Sequence, residues 1–131
     1  MKVGGLDHVQ ISIPAGGEIR ARAFYVGVLG MEEVAKPTLL ATRGGCWFSG
    51  PGIDLHLGVE TDFRPARRAH IAITVPDLAA ARLELEAAGV TTTTDEADIG
   101  VARFYANDPF GNRLEFVSAA DAGFSRRFAP G

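Results

Sequence analysis

The chain has 131 residues, of which 47% are hydrophobic, and a formal net charge of −3, which suits one compact domain with its own core. This charge excludes the basic surface typical of nucleic-acid-binding proteins, and no apolar run approaches the roughly 20 residues that a membrane helix needs. The single cysteine, Cys46, excludes an intrachain disulfide and favours a reducing compartment. We therefore expect a cytoplasmic protein without nucleic-acid or membrane partners.

A repeated stretch opens each half of the chain. Residues 6–14 and 68–76 both place a histidine, His8 or His70, before an alternation of apolar and small or polar residues that stops at proline. Alternation with period two is typical of a half-buried strand. In the first copy, one face of the predicted strand is apolar and the other carries His8, Gln10 and Ser12.

The first half continues with a helix and further strands. Apolar residues at helical spacing predict a helix over residues 18–29, with Gly30 as its stop. Strand segments are then predicted at 31–34, 39–42, 46–49 and 53–59. The last of these alternates so that Asp54 and His56 face away from its apolar residues.

The second half repeats this order. Residues 61–67 carry mixed charges without apolar periodicity, and we expect them to link the halves. Asp77 is a good N-cap for the helix that follows the second histidine strand, and Gly89 ends that helix. Strands are predicted at 90–94, 101–106 and 113–118. We predict one domain over 1–131, with module one at about 5–60, module two at about 68–118 and a tail at 119–131.

Aligning the two halves brings four potential metal ligands to equivalent positions. His8 and His70 lie on the first strand of each half, and matching the helix ends places His56 opposite Glu115. Strand parity puts all four side chains on the face away from the apolar residues. Imidazole and carboxylate ligands suit Zn, Ni, Fe or Mn, which can polarise a carbonyl or enediolate oxygen or activate a bound water.

The same positions allow other interpretations. The polar residues could line a metal-free ligand cavity, and Asp54 could replace His56 as a ligand or accept a hydrogen bond from one. Cys46 is interpreted as a small buried residue and not as a nucleophile. Parity and size add six residues expected to line the cavity and bind substrate: Gln10, Ser12, Trp47, Thr74, Arg103 and Arg113.

Several motifs resemble the vicinal oxygen chelate superfamily, which includes glyoxalase I, fosfomycin-resistance enzymes, bleomycin-resistance proteins, methylmalonyl-CoA epimerase and extradiol dioxygenases. They are LDHV at 6–9, AFY at 23–25 leading to VLGM at 28–31, AHI at 69–71, and DPFGN at 108–112 leading to LEF at 114–116. The resemblance implies an α+β fold in which two paired βαβββ modules form a cupped mixed β-sheet. It also implies a homodimer, and in several such families the metal site is completed across the subunit interface.

The resemblance assigns ligand positions as well. Metal-using members take ligands from the first and last strands of the modules, which here are His8, His56, His70 and Glu115. Glyoxalase I commonly has a glutamate where this chain offers His56 or Asp54, which is a departure from its pattern. Fosfomycin enzymes and extradiol dioxygenases use two histidines and a glutamate, which match His8, His70 and Glu115. Bleomycin-resistance proteins have the fold without the metal.

We therefore expect a metal-dependent, glyoxalase-like enzyme of the lyase or isomerase type. A divalent ion held by His8, His70 and Glu115, with His56 as fourth ligand, would chelate vicinal oxygens of a small substrate. By resemblance to glyoxalase I, Glu115 would also transfer the proton. The alternatives are a metal-free binding or drug-sequestering protein and an Fe- or Mn-dependent extradiol dioxygenase.

Overall fold

A computed structural model describes residues 1–95, 97 and 99–123 of the chain. It divides into two compact units, Met1–Pro65 and Ala66–Gly131, and each unit contains one four-stranded sheet. The division falls within the residues 61–67 that the sequence marks as a linker. Most of the tail predicted at 119–131 lies outside the described residues.

The first unit contains four strands and two helices. In chain order they are β1 (Val9–Ile13), α1 (Glu18–Tyr25), β2 (Glu32–Val34), α2 (Thr38–Ala41), β3 (Cys46–Gly50) and β4 (Ile53–Val59). The strand order across the sheet is β1-β4-β3-β2. β1 pairs in parallel with β4, and the other pairs are antiparallel.

The second unit has the same arrangement with one helix. Its elements are β5 (His70–Val75), α3 (Leu78–Ala87), β6 (Thr92–Thr94), β7 (Arg103–Asn107) and β8 (Arg113–Ser118), followed by a single 3-10 turn at Ala119–Asp121. The order is β5-β8-β7-β6, with β5 parallel to β8. The predicted α+β class and the βαβββ order of each half are confirmed. None of the helices in the described residues has the length and apolar character to cross a membrane.

Two element predictions in the first half are wrong. The segment predicted as a strand at 39–42 is the short helix α2, in which the N–H groups of Leu40 and Ala41 both donate to the Pro37 carbonyl. Its apolar residues do not mark a buried strand, since Leu39 is 89% exposed. The helix predicted over 18–29 ends at Tyr25 and continues as turns, closed by Gly30 with a φ of +73°.

One face of the first sheet is a buried apolar core. Its alternating residues Ile13, Leu55, Leu57 and Phe48 are each no more than 1% exposed. Helix α1 contributes three further buried residues: Ala21, Phe24 and Tyr25. Because side chains alternate along a strand, burial of this set commits the intervening polar residues to the other face.

The second sheet follows the same rule. Leu114 and Phe116 of β8 are buried, and the Phe116 ring stacks on that of Phe104 with centroids 5.0 Å apart. Leu85 of α3 is also buried in this unit. Helix α3 begins as predicted, with the Asp77 carboxylate accepting a hydrogen bond from the Ala80 N–H at 2.9 Å.

A close backbone approach fixes the start of β3. Gly45 has a φ of +81°, and a Cβ at this position would lie 2.0 Å from the Leu57 carbonyl oxygen of β4. Its N–H donates to Oε1 of Glu18, the first residue of α1, at 2.9 Å. This bond is the main cause of the lowered pKa of Glu18. Only glycine tolerates both the positive φ and the close Leu57 carbonyl. Gly45 therefore allows α1, β3 and β4 to pack together at this point.

Replacing Gly45 by alanine should lower the free energy of unfolding by about 3 kcal/mol or more, because the new Cβ adds a backbone clash to the strain of a positive φ. Gly30→Ala is the matched control. Gly30 has a similar φ of +73° with nothing within 4 Å of its Cβ position, so alanine there should cost only about 1 kcal/mol. Urea unfolding measures both. Equal losses would show that the Leu57 contact is not restrictive.

Candidate functional site

The parallel strand pairs give both units the same register. In the first unit Gln10 of β1 pairs with His56 of β4, and in the second unit Ala72 of β5 pairs with Glu115 of β8. In each case the residue two positions after the histidine of the repeat lies beside the candidate on the last strand. His56 and Glu115 therefore occupy equivalent positions, as the alignment of the two halves predicts.

Three aromatic rings form a stack on the polar face of the first sheet. The His56 ring lies between His8 and Trp47, with centroids 4.1 Å from the former and 3.8 Å from the latter. The rings are close to parallel, at 18° and 5° respectively. The register explains the second contact, because Trp47 of β3 pairs directly with His56.

His8 has one ring nitrogen engaged and the other available. Its Nδ1 donates to the carboxylate of Asp7 at 2.7 Å. In the neutral ring this leaves Nε2 with its lone pair. A histidine that binds a metal usually donates its other N–H to a carboxylate or a backbone carbonyl, and the Asp7–His8 pair has this arrangement.

The stack favours an uncharged His56. Burial lowers the pKa of His56 below its ordinary value of 6.5, and the charge of His8 lowers it further. Each ring nitrogen lone pair lies in the plane of its own ring, and the stacked His8 and His56 rings, with centroids 4.1 Å apart, do not converge on one point in this arrangement. Asp54, the alternative ligand on β4, is exposed.

A histidine–carboxylate pair dominates the polar face of the second sheet. Nε2 of His70 lies 2.9 Å from Oε2 of Glu115, whose side chain is only 4% exposed. Nδ1 of His70 lies 2.7 Å from the carbonyl oxygen of Arg68, which can only accept, so Nδ1 carries a proton. A proton between Nε2 and Oε2 makes the contact with Glu115 a hydrogen bond.

Arg103 holds the other oxygen of Glu115. Its Nη1 lies 3.2 Å from Oε1 of Glu115 and 3.2 Å from the hydroxyl oxygen of Tyr105, while Nη2 donates to Asp95 at 2.7 Å. The Arg103 side chain is 13% exposed, and its buried Nε has no hydrogen-bond partner among the residues that the structure describes. Arg113 lies over the Tyr105 ring at 4.0 Å. Both arginines were predicted to bind substrate, and both are committed to contacts within their own unit.

The remaining predicted residues, Ser12 and Thr74, lie on these same faces. Ser12 lies on β1 opposite Gly58, and Thr74 is exposed on β5 opposite Val117. Within the described residues, no group of three or more His, Cys, Asp or Glu side chains is positioned to hold a metal ion. Each unit instead supplies a pair of suitable donor atoms, and the donor chemistry of two such pairs fits the metals named above.

Sequence reasoning missed three contacting residues. Asp7 adjoins His8 in the LDHV motif, and the preference of a metal-binding histidine for a carboxylate partner could have identified it. Tyr105 pairs with Glu115 across β7 and β8, which becomes clear once the register is known. Asp95 follows β6 in a connecting segment, where no strand pattern indicates its contact with Arg103.

Cys46 has no catalytic features, in agreement with the sequence interpretation. It is 1% exposed in the core of the first unit, and burial raises the pKa of its thiol to about 11. The thiolate needed for nucleophilic attack is therefore scarce at neutral pH.

NMR titration should give His56 a pKa below 6.5, since burial and then the charge of His8 disfavour the imidazolium. His8→Gln should raise this pKa only partly, because burial is the larger cause. The contribution of the neutral His56 ring to the stability of the protein is fully present above pH 6.5, the ordinary pKa of histidine. That contribution is lost as the pH falls through the lowered pKa of His56. His56→Gln assigns the resonance, and a value at or above 6.5 would contradict the buried stack.

Arg103→Gln should lower the free energy of unfolding by about 3 kcal/mol, because the buried Glu115 loses its guanidinium partner. Arg67→Gln is the control in the same unit, since Arg67 is exposed and its loss should cost much less. Urea unfolding at neutral pH compares the two variants. Similar losses would mean that Arg103 does not compensate a buried charge.

Solved structures share this architecture. A Bacillus anthracis protein assigned to the glyoxalase family is 47% identical over 90% of this chain and 97% of that chain, with a TM-score of 0.85. The genomically encoded fosfomycin resistance protein FosX of Listeria monocytogenes is 15% identical, with 90% and 95% covered and a TM-score of 0.73. Lactoylglutathione lyase of Agrobacterium tumefaciens is 21% identical, with 94% and 100% covered and a TM-score of 0.68.

The two more distant structures share the fold, and they carry no information about the reaction of this chain. No curated protein matches the sequence. A family model described as the Glyoxalase/Bleomycin resistance protein/Dioxygenase superfamily matches residues 5–116, which includes every strand of both units except the last two residues of β8. The chain belongs to the glyoxalase, bleomycin resistance protein and dioxygenase superfamily.

Proposed function

We propose that the protein is a metal-dependent, glyoxalase-like enzyme of the lyase or isomerase type. His8, His70 and Glu115 hold a divalent ion in this proposal, and His56 is the fourth ligand when its ring leaves the stack with Trp47. A bound ion would polarise vicinal oxygens of a small substrate and so acidify the adjacent carbon. Members of the superfamily commonly bind divalent metals.

One observation carries the proposal. In both units the histidine that begins the repeat has Nδ1 held by an oxygen acceptor, the Asp7 carboxylate for His8 and the Arg68 carbonyl for His70. This contact fixes the ring orientation and directs Nε2 away from the acceptor. A histidine with a purely structural role does not require Nδ1 to be the donor at both copies of the repeat.

Glu115 is the proposed base. Arg103 holds its Oε1, and its Oε2 faces Nε2 of His70 until that nitrogen takes up the ion. Its position at 4% exposure excludes most competing water. In the proposal Glu115 receives the proton from the substrate carbon at Oε2 and returns it to a neighbouring atom, while Arg103 keeps the carboxylate oriented.

The proposal also includes a homodimer in the cytoplasm. It combines the His8–His56 pair of one unit with the His70–Glu115 pair of another, taken from the same chain or from a second copy. The single buried thiol of Cys46 agrees with a reducing location.

Titration calorimetry of protein without a polyhistidine tag should show one Zn, Ni or Mn ion bound per chain, with release of the proton shared by His70 and Glu115. Two buffers of different ionisation enthalpy measure that release. Glu115→Gln should abolish both signals, and Asp7→Asn should weaken metal affinity by about tenfold or more. Glu84→Gln removes an exposed carboxylate from α3 and should change neither signal.

Mixing two double variants tests which chain supplies each pair. One carries changes at His8 and His56, and the other at His70 and Glu115. A site shared between copies would regain metal binding in mixed dimers, whereas a site within one chain would not. Absence of metal binding by the wild type after reconstitution contradicts the proposed function.

A metal-free binding protein is the second candidate, and one observation favours it. His8, His70 and Glu115 already have hydrogen-bond partners within their own units, so none of them needs an ion to be satisfied. On this candidate, ligand affinity survives both chelator treatment and Glu115→Gln. Oxygen uptake in the presence of catechols would instead indicate the extradiol dioxygenase activity.

A further inference from the structure

A cleft in the first unit carries positive charge. It has a volume of about 220 Å³ and lies between the α2 segment and strands β1, β3 and β4, with Gln10, Lys36, Arg43, Trp47 and Gly58 among its lining residues. We propose that this cleft binds the oxyanion of a small organic acid. The inference rests on the proposed function in one respect, namely that this acid is part of the substrate.

Two cations line the cleft. They are Lys36 and Arg43, and none of the acidic residues in the described part of the chain lines it. Among the described residues, the Arg43 guanidinium makes no hydrogen bond or ion pair. Lys36 donates one hydrogen bond to the Gly44 carbonyl, which leaves two of its three N–H groups for another acceptor. A guanidinium beside an ammonium is an arrangement that suits carboxylate or phosphate oxygens.

The nearest carboxylate does not neutralise this pair. Glu18 lies close enough for Lys36 to help lower its pKa, and it therefore stays ionised. Its Oε1, however, accepts the Gly45 N–H at 2.9 Å and makes no hydrogen bond to Lys36 in the described residues. Glu18 thus stabilises the backbone below the cleft, and the two cations remain available to a ligand.

The other walls of the cleft determine which organic group can carry the oxyanion. Gly58 leaves room for the Gln10 side chain, since a Cβ there would lie 2.7 Å from Nε2 of Gln10. The Gln10 amide therefore enters the cleft and offers a neutral hydrogen-bonding group, while Trp47 supplies an apolar wall. At about 220 Å³ the cleft is smaller than the roughly 300–1,000 Å³ typical of sites for drug-sized ligands. It suits an acid with a small, planar or apolar body.

The cleft adjoins the candidate site through shared residues. Trp47 lines the cleft and stacks on His56, and Gln10 pairs with His56 in the sheet. The charge of Lys36 reaches the same imidazole, since it contributes to the lowered pKa of His56. An acid held by Arg43 and Lys36 would therefore lie beside His56, with the rest of the molecule directed along the polar face of the sheet.

The only tryptophan of the chain reports occupancy directly, because Trp47 lines the cleft. Metal-free protein in the presence of a chelator is titrated with benzoate, phenylphosphonate and the neutral analogue benzamide, following tryptophan fluorescence. We expect saturable quenching by at least one of the two acids and none by benzamide. Arg43→Gln should weaken that binding about tenfold, through loss of a charge-assisted hydrogen bond. Arg64→Gln removes an exposed charge from the same unit and should leave binding unchanged.

The inference is overturned if neither acid binds, if benzamide binds as tightly as the acids, or if Arg43→Gln matches Arg64→Gln. Comparison of the two acids decides between a carboxylate and a phosphonate as the preferred group. Failure of the proposed function is a separate outcome. If the wild type binds no metal but Arg43→Gln weakens its anion binding, the anion-binding cleft stands and the proposed metal-dependent function fails. If the wild type binds metal but neither acid, the proposed function stands and the anion-binding cleft fails.

Discussion

Parallel pairing of the first and last strands in each unit is the constraint on which the candidate residues depend. β1 pairs with β4 and β5 with β8, so side chains of segments far apart in sequence become neighbours on one face. The apolar partners Leu55 and Leu114 fix the parity, because a shift of one residue would expose them. Burial of the core therefore also determines that His56 and Glu115 face the opposite side.

This dependence explains which parts of the site can be predicted from sequence. The positions of His8 and His70, and the equivalence of His56 with Glu115, follow from period-two alternation and an internal repeat. The alternation and the internal repeat can both be recognised in a single sequence because they recur at fixed intervals. The superfamily motifs add the βαβββ order, which the strand pairing confirms in both units.

The features that could not be predicted from the sequence depend on contacts between residues and not on periodic sequence patterns. Leu39 and Leu40 resemble strand residues, but Pro37 starts a helical turn there that leaves Leu39 exposed. Arg103 has the charge of a substrate-binding residue, yet its partner Asp95 lies in a connecting segment whose path has no sequence pattern. The stack of Trp47 on His56 requires the β3–β4 register, which is set by the two-residue turn between Gly50 and Ile53, where Gly52 has a φ of +72°.

The equivalence of His56 and Glu115 has a stereochemical consequence. Two copies of one backbone arrangement would treat a planar carbon alike from either side if both carried the same base. The first unit instead presents a stacked imidazole that stays neutral, and the second presents a carboxylate with both oxygens held. In the proposed reaction, a proton exchanged through Glu115 alone would reach such a carbon from one side only. The proposed enzyme would therefore form a single mirror-image product.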